Sequence, residues 1–280
     1  VSGKAALALQ GAQQVVKWAQ DHPDEVKRAG SWLRGMLSST PAPVLVTGIK
    51  SVGKSVLWDF LSGAAYTEGY SPPDTSASIG QANLKGRGAG GKKVAGIVIP
   101  GDPDSHARQD AFERHFTSRK SEISGLIYVV CAGLAHPRSP DAQAHLLRTH
   151  PSIESFVEKK LEEELEDFDK TCHELESYWR KHRRPFWLLV VTAKADLYQD
   201  RLAGVSDCYC PGGGGAFARR VERLQSNIGR LNVAVDSAAV SCLPEDFAWG
   251  DSIVKSEIDE AARRAYVVRL RAKIFDLCRA

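Results

Sequence analysis

The chain has 280 residues, 43% of them hydrophobic, and a formal net charge of +3. That is enough apolar material for one large α/β domain with an extension, and too little positive charge to argue for nucleic acid. Six cysteines, at positions 131, 172, 208, 210, 242 and 278, show neither a disulfide framework nor a zinc spacing, as expected of reduced thiols in the cytoplasm.

Residues 4–20 read as an amphipathic helix with Leu9, Ala12, Val16 and Ala19 on one face. Pro23 opens a second helix carrying Val26, Ala29, Trp32, Leu33 and Met36. The stretch Ser38-Ser39-Thr40-Pro41-Ala42-Pro43 then breaks the chain. Residues 1–40 are therefore expected to be a helical extension, and 41–280 the main domain. Scattered lysines and arginines on the two helices give little support to a membrane-surface role.

Beyond the break, strand-like runs alternate with helical stretches. The strands are expected at Val44–Thr47, Lys93–Ile99, Leu126–Ala132, Phe186–Thr192 and Val233–Val240. This alternation predicts a three-layer α/β domain with a mostly parallel sheet, its ligand loops at the strands' C-terminal ends. The longest apolar stretches, Leu126–Ala135 and Phe186–Ala193, fall well short of the ~20 residues of a bilayer span.

Two segments interrupt the rhythm. A helical insertion is expected at 151–184, with Leu161, Leu165, Phe168, Cys172, Leu175 and Trp179 spaced like an a/d seam. Its start is acidic and its end basic, which complements the helix dipole. It either docks on its own sheet or serves as a dimerisation or partner-binding helix. The second, Cys208–Gly215 with four successive glycines, is expected to be a flexible loop, since glycine runs hold one conformation at high entropic cost.

The first expected strand leads into Gly48-Ile49-Lys50-Ser51-Val52-Gly53-Lys54-Ser55, the phosphate-loop pattern G-x-x-x-x-G-K-[ST]. Backbone N–H groups across Gly48, Lys50, Ser51, Gly53, Lys54, Ser55 and Val56 would cradle phosphates, aided by the positive end of the helix that follows. Lys54 would reach the β- and γ-phosphates, and the Ser55 hydroxyl would ligate Mg²⁺.

The base is read further on, in Thr192-Ala193-Lys194-Ala195-Asp196-Leu197 at the end of the expected strand Phe186–Thr192. A carboxylate at Asp196 can accept from both N1–H and N2–H₂ of guanine. Adenine has no such donor pair and would leave the carboxylate buried and unpaired. The aliphatic stem of Lys194 would lie over the base. GTP and GDP are the expected nucleotides.

On these two motifs, residues 43–280 resemble the Ras-like and translation-factor class of P-loop GTPases, and the Ala-Lys-Ala-Asp sequence is similar to the form found in septins. The resemblance implies a first-switch Thr that senses Mg²⁺ and the γ-phosphate. Thr75 stands at about the right interval after Lys54, with Ser76 and Ser78 as competitors. It implies a second-switch glycine at Gly101, and a backbone contact to guanine O6 at Ser241-Cys242, or at Ser237-Ala238 in another alignment. It departs at Val98, which stands where the family has a Mg²⁺-supporting Asp and leaves the ion to Ser55, the phosphates and Asp102 or Asp104. It departs also at Asp102, which stands in place of a water-orienting Gln and is, with Thr75, the candidate catalytic residue. His106 and His115 lie nearby and read as surface histidines.

The resemblance therefore implies a GTP-binding switch with slow hydrolysis, working through a protein effector or a homodimer formed by the 153–182 helix or the nucleotide face. A nucleotide-stabilised scaffold that does not hydrolyse GTP is the alternative. A nucleoside or nucleotide kinase would share the phosphate loop but have no use for Asp196.

Overall fold

Val44–Thr47 forms β1, a strand buried along its whole length near the middle of a six-stranded sheet. The structure, a computed structural model, describes residues 43–72, 80–85, 93–118, 122–137 and 139–278. The two expected N-terminal helices lie outside these residues, as do Thr75, Ser76 and Ser78. The described residues fall within one unit, Ala42–Ala280.

The chain continues through α1 (Lys54–Ser62), β2 (Gly80–Lys85), β3 (Lys93–Val98), α2 (His106–Phe112), β4 (Gly125–Val130), α3 (Pro140–Thr149) and α4 (Ile153–His182). It closes with β5 (Phe186–Thr192), α5 (Leu202–Tyr209), α6 (Ala216–Ile228), β6 (Val233–Ala239), β7 (Phe247–Trp249), β8 (Ser252–Val254) and α7 (Glu260–Leu277). Sheet order is β2-β3-β1-β4-β5-β6. Five strands run parallel, and β2 pairs antiparallel with β3 at one edge. Sheets covered on both faces select continuous apolar runs. Gly125-Leu126-Ile127-Tyr128-Val129-Val130 and Phe186-Trp187-Leu188-Leu189-Val190-Val191-Thr192 are such runs, and every residue in them is buried.

Alternate residues of the strands feed two cores. Val44, Val46, Ile127, Val129, Leu189 and Val191 pack with Leu57, Leu61, Leu270 and Ile274 of α1 and α7. Leu45, Leu126, Tyr128, Leu188 and Val190 pack with Phe168, Leu175, Phe217 and Val221 of α4 and α6. The expected three-layer α/β architecture is the one observed. Edge strand β2 and the β7–β8 hairpin had no clear periodic signal; both are short or peripheral.

Helix α4 has the expected span. Ser152 caps it by accepting from Ser155 N–H, and Arg183 ends it in the left-handed region at φ 53°. Its buried face is broader than an a/d seam. Phe168, Cys172 and Leu175 are buried, Leu161 is 40% exposed, and Glu164, Asp167, Thr171 and Tyr178 are buried beside the apolar residues. A helix lying on a sheet presents this wider stripe. The Cys208–Gly215 segment is more regular than expected: Cys208 and Tyr209 end α5, and Gly215 is the N-cap of α6. No helix among the described residues is long and apolar enough to cross a membrane.

Candidate nucleotide site

The parallel strands β1, β3, β4, β5 and β6 end on one edge of the sheet. The loops that follow them bring together Gly48–Gly53, Pro100–Asp102, Cys131–Leu134, Ala193–Asp196 and Val240–Cys242. All the described candidate residues therefore lie along that edge or on the first turn of α1.

The phosphate loop turns tightly between β1 and α1. Gly48 has φ 136°, and a Cβ there would lie 2.3 Å from the Val129 carbonyl oxygen. Ser51 and Gly53 also have positive φ, at 67° and 95°. Gly53 caps α1 without a side-chain hydrogen bond, so the first-turn N–H groups are not closed off by a capping side chain. Lys50 is exposed, Ser51 and Ser55 are half-buried, and Val56 is buried in the core.

Lys54 folds back over the loop. Its ammonium donates to the Gly48 carbonyl at 2.9 Å and the Ile49 carbonyl at 2.7 Å, and the residue is only 5% exposed. Burial, followed by the nearby Arg108 cation, lowers its pKa to about 7. Gly101 covers it: a Cβ on Gly101 would stand 2.3 Å from Lys54 Nζ and 2.6 Å from the Ile49 carbonyl. Only glycine allows the backbone this close.

The region around Gly101 differs from what the sequence resemblance implies. Val98 ends β3 opposite Val46 and is 3% exposed, so an apolar side chain stands where the resemblance calls for a carboxylate. Asp102 accepts from the Asp104 N–H at 3.1 Å, which ties its carboxylate into the turn. Ser105 caps α2 by accepting from Arg108 N–H. His106 is exposed and His115 half-buried.

Arg108 occupies the space behind Gly101. Its guanidinium donates to the Gly101 carbonyl at 3.3 Å and pairs with Asp167 of α4 at 2.5 Å, with both side chains buried. The other Asp167 oxygen accepts from the Tyr128 hydroxyl at 2.8 Å. One turn earlier on α4, Glu164 accepts from Cys131 N–H at 2.9 Å and from the Tyr209 hydroxyl at 2.7 Å. Burial raises the pKa of Glu164. Arg108, Asp167, Glu164 and Tyr128 were not picked out by sequence reasoning. The available signal was two carboxylates, three residues apart, on the same helical face as Phe168 and Leu175.

At the base-reading end, Lys194 adopts φ 57° and its ammonium donates to the Leu134 carbonyl at 2.6 Å, 5.7 Å from the Phe247 ring centre. Asp196 is 2% exposed, and its Oδ1 has no hydrogen-bond partner among the described residues. Its loop is joined to the one after β6 by hydrogen bonds from Ala195 N–H to the Val240 carbonyl and from Val240 N–H to the Thr192 carbonyl. Ser241 beyond β6 is fully buried with its Oγ unpartnered among the described residues, and Cys242 is buried beside it. The Cys242 carbonyl accepts from Arg263 of α7, and burial pushes the Cys242 thiol up to about 12. Ser237 and Ala238 pair with Val190 and Val191 inside the sheet, so only Ser241-Cys242 follows the strand end.

A buried carboxylate oxygen without a donor is costly. Asp196 therefore fits a ligand that presents N–H groups, and guanine has two on one edge. The phosphate cradle fits an anion. Mg²⁺ has Ser55 on the first turn of α1. No cluster of three or more His, Cys, Asp or Glu suited to a metal occurs among the described residues, so phosphate oxygens would supply most of the charge around the ion.

No family model matches the chain, and no curated protein matches it. Solved structures with a similar chain path include a mammalian SRP receptor structure, at 13% identity and TM-score 0.45, covering 84% of this chain and 99% of that one. The FeoB G-domain from Methanococcus jannaschii matches at 14% identity and TM-score 0.37, with coverage of 86% and 99%. The bacterial selenocysteine-specific elongation factor EF-Sec matches at 14% identity and TM-score 0.41; 85% of this chain is covered, and it spans 29% of that protein. Likenesses this distant say nothing about what the present chain binds.

Proposed function

We propose that this chain binds guanine nucleotides along the C-terminal edge of its sheet and acts as a GTP-dependent switch with slow hydrolysis. The observation that carries the reading is the Asp196 Oδ1, unpartnered among the described residues and buried on the same edge as the phosphate loop that holds Lys54. Lys54 and the loop N–H groups would hold the phosphates, Ser55 with Thr75 would hold Mg²⁺, and Asp196, Lys194, Ser241 and Cys242 would hold the base. Bound Mg²⁺ supplies charge neutralisation on the phosphates.

Slow turnover follows from two residues. Val98 cannot steady a metal-bound water, and Asp102 opposes the γ-phosphate with its own charge while bonded to the Asp104 amide. A cytoplasmic setting fits six free thiols. The switch loops would meet a protein effector or a second copy of the chain. Val98 also supports a second reading, a nucleotide-stabilised scaffold that does not hydrolyse GTP.

Calorimetric titration with GTP, GDP and ATP in Mg²⁺, followed by phosphate-release kinetics, tests both. GTP binding with little ATP binding and a slow, measurable release is the expected result. Equal affinity for ATP would overturn the guanine assignment. Tight GTP binding with no release at any protein concentration would favour the scaffold.

A further inference from the structure

The geometry points to Arg108 as a positioning residue for triphosphate recognition: by holding the Gly101 carbonyl from behind while anchored on Asp167, it fixes the second-switch backbone over Lys54. This rests on the nucleotide reading of the same edge and adds a residue that the phosphate-loop and base-reading motifs do not contain.

Three contacts define the arrangement. Arg108 donates one N–H to the Gly101 carbonyl at 3.3 Å and directs another to Asp167 at 2.5 Å. Asp167 is held in turn by the Tyr128 hydroxyl at 2.8 Å, from the middle of β4. The Arg108 guanidinium also lies 5.1 Å from the Phe112 ring centre. A planar fork can meet a carbonyl and a carboxylate together, which a lysine ammonium on a flexible stem does poorly. The Gly101 peptide is thereby oriented by a group bound to the sheet and to α4, and not by its own loop alone.

Electrostatics agree with this placement. Lys54 and Arg108 are both buried basic residues set against Gly101, and Asp167 is the carboxylate paired with Arg108. With Lys54 protonated, two cations and their one paired carboxylate leave the corner short of negative charge. A terminal phosphoryl group on Lys54 would relieve that imbalance, and a diphosphate, ending one phosphate earlier, would relieve less of it. The arrangement should therefore act on the γ-phosphate in particular.

The test compares a non-hydrolysable GTP analogue with GDP, both with Mg²⁺, in wild type, Arg108→Gln and Arg108→Lys. Arg108→Gln should weaken analogue binding about tenfold, the effect of losing a charge-assisted hydrogen bond, and change GDP affinity less than about threefold. Arg108→Lys keeps the charge but not the fork, and should recover only part of the loss. A fault in folding alone would scale both affinities together, so the analogue-to-GDP ratio isolates positioning. An unchanged ratio in Arg108→Gln would overturn the inference, and so would full recovery by Arg108→Lys, which would show an effect of charge only. If Arg108→Gln does not fold, Arg108→Lys decides: a reduced ratio supports positioning, and a wild-type ratio removes it. Failure of wild type to bind either guanine nucleotide would instead defeat the proposed function.

Discussion

The phosphate loop and the second-switch turn lie side by side on the same sheet edge, yet they are built by opposite means. The loop is self-contained. Gly48, Gly53 and Lys54 lie within seven consecutive residues, and the Lys54 ammonium closes on carbonyls of its own loop. The turn at Gly101 follows a strand that ends in the apolar, buried Val98. It is held by Arg108 and, through it, by Asp167, 59 residues further along the chain. A turn can be fixed by a residue distant in sequence where the tertiary structure supplies the support.

The contrast can be broken most directly at Lys54. Lys54→Ala should weaken GTP binding by about 100-fold or more, because it removes charge-assisted contacts to two phosphates; calorimetry reads this. Unchanged affinity would show that the loop does not hold phosphate. Val98→Asp places at the end of β3 the carboxylate that the sequence resemblance implies. With the site 3% exposed, the variant should lose about 3 kcal/mol of stability without ligand. Mg²⁺ with GTP should then raise its melting temperature by more than it raises that of wild type. An equal rise in both would mean that no metal lies near that strand end.

Asp196→Asn should shift preference from GTP toward xanthosine triphosphate by about tenfold, because the amide presents a donor where guanine also donates. Competition with labelled GTP measures this, and an unaltered preference would remove Asp196 from base recognition. The smallest effect expected is one of pH. The Lys54 pKa of about 7 is lowered chiefly by burial, and bound phosphate would raise it again. Triphosphate affinity should therefore fall about fivefold from pH 7 to pH 8, with proton uptake on binding. Without ligand the sign reverses. Between pH 7 and 10.5 the unfolded chain keeps a proton that folded Lys54 has released, so this residue's contribution to stability improves as pH rises. Lys54→Met should flatten that dependence in chemical denaturation.

The sheet and the ends of the site were legible in the sequence because their signals are local. A fully covered strand such as Phe186–Thr192 must be apolar throughout, and a phosphate loop must place Gly and Lys at fixed spacing. The loop expected at Cys208–Gly215 begins only at Cys210, because Tyr209 is drawn into helix α5, where its hydroxyl reaches Glu164. Glu164 and Asp167 themselves read only as part of the acidic first half of a helix. Burial of each depends on a partner distant in sequence, Cys131 for one and Arg108 for the other. Such a partner cannot be seen by periodicity, which reports only the face of a helix.

The burial of Cys131 and Cys242 gives the Lys194–Asp196 end of the sheet edge a chemical clock. Cys208 is exposed, whereas Cys131 and Cys242 are buried, and their thiols are held well above the ordinary range by burial. Thiol reagents attack thiolates, so a neutral-pH reagent should consume Cys208 promptly. The other two become reactive only when the loops after β4 and β6 open. Their slow labelling rates therefore report the opening frequency of two loops beside Lys194 and Asp196, without a probe added to the protein.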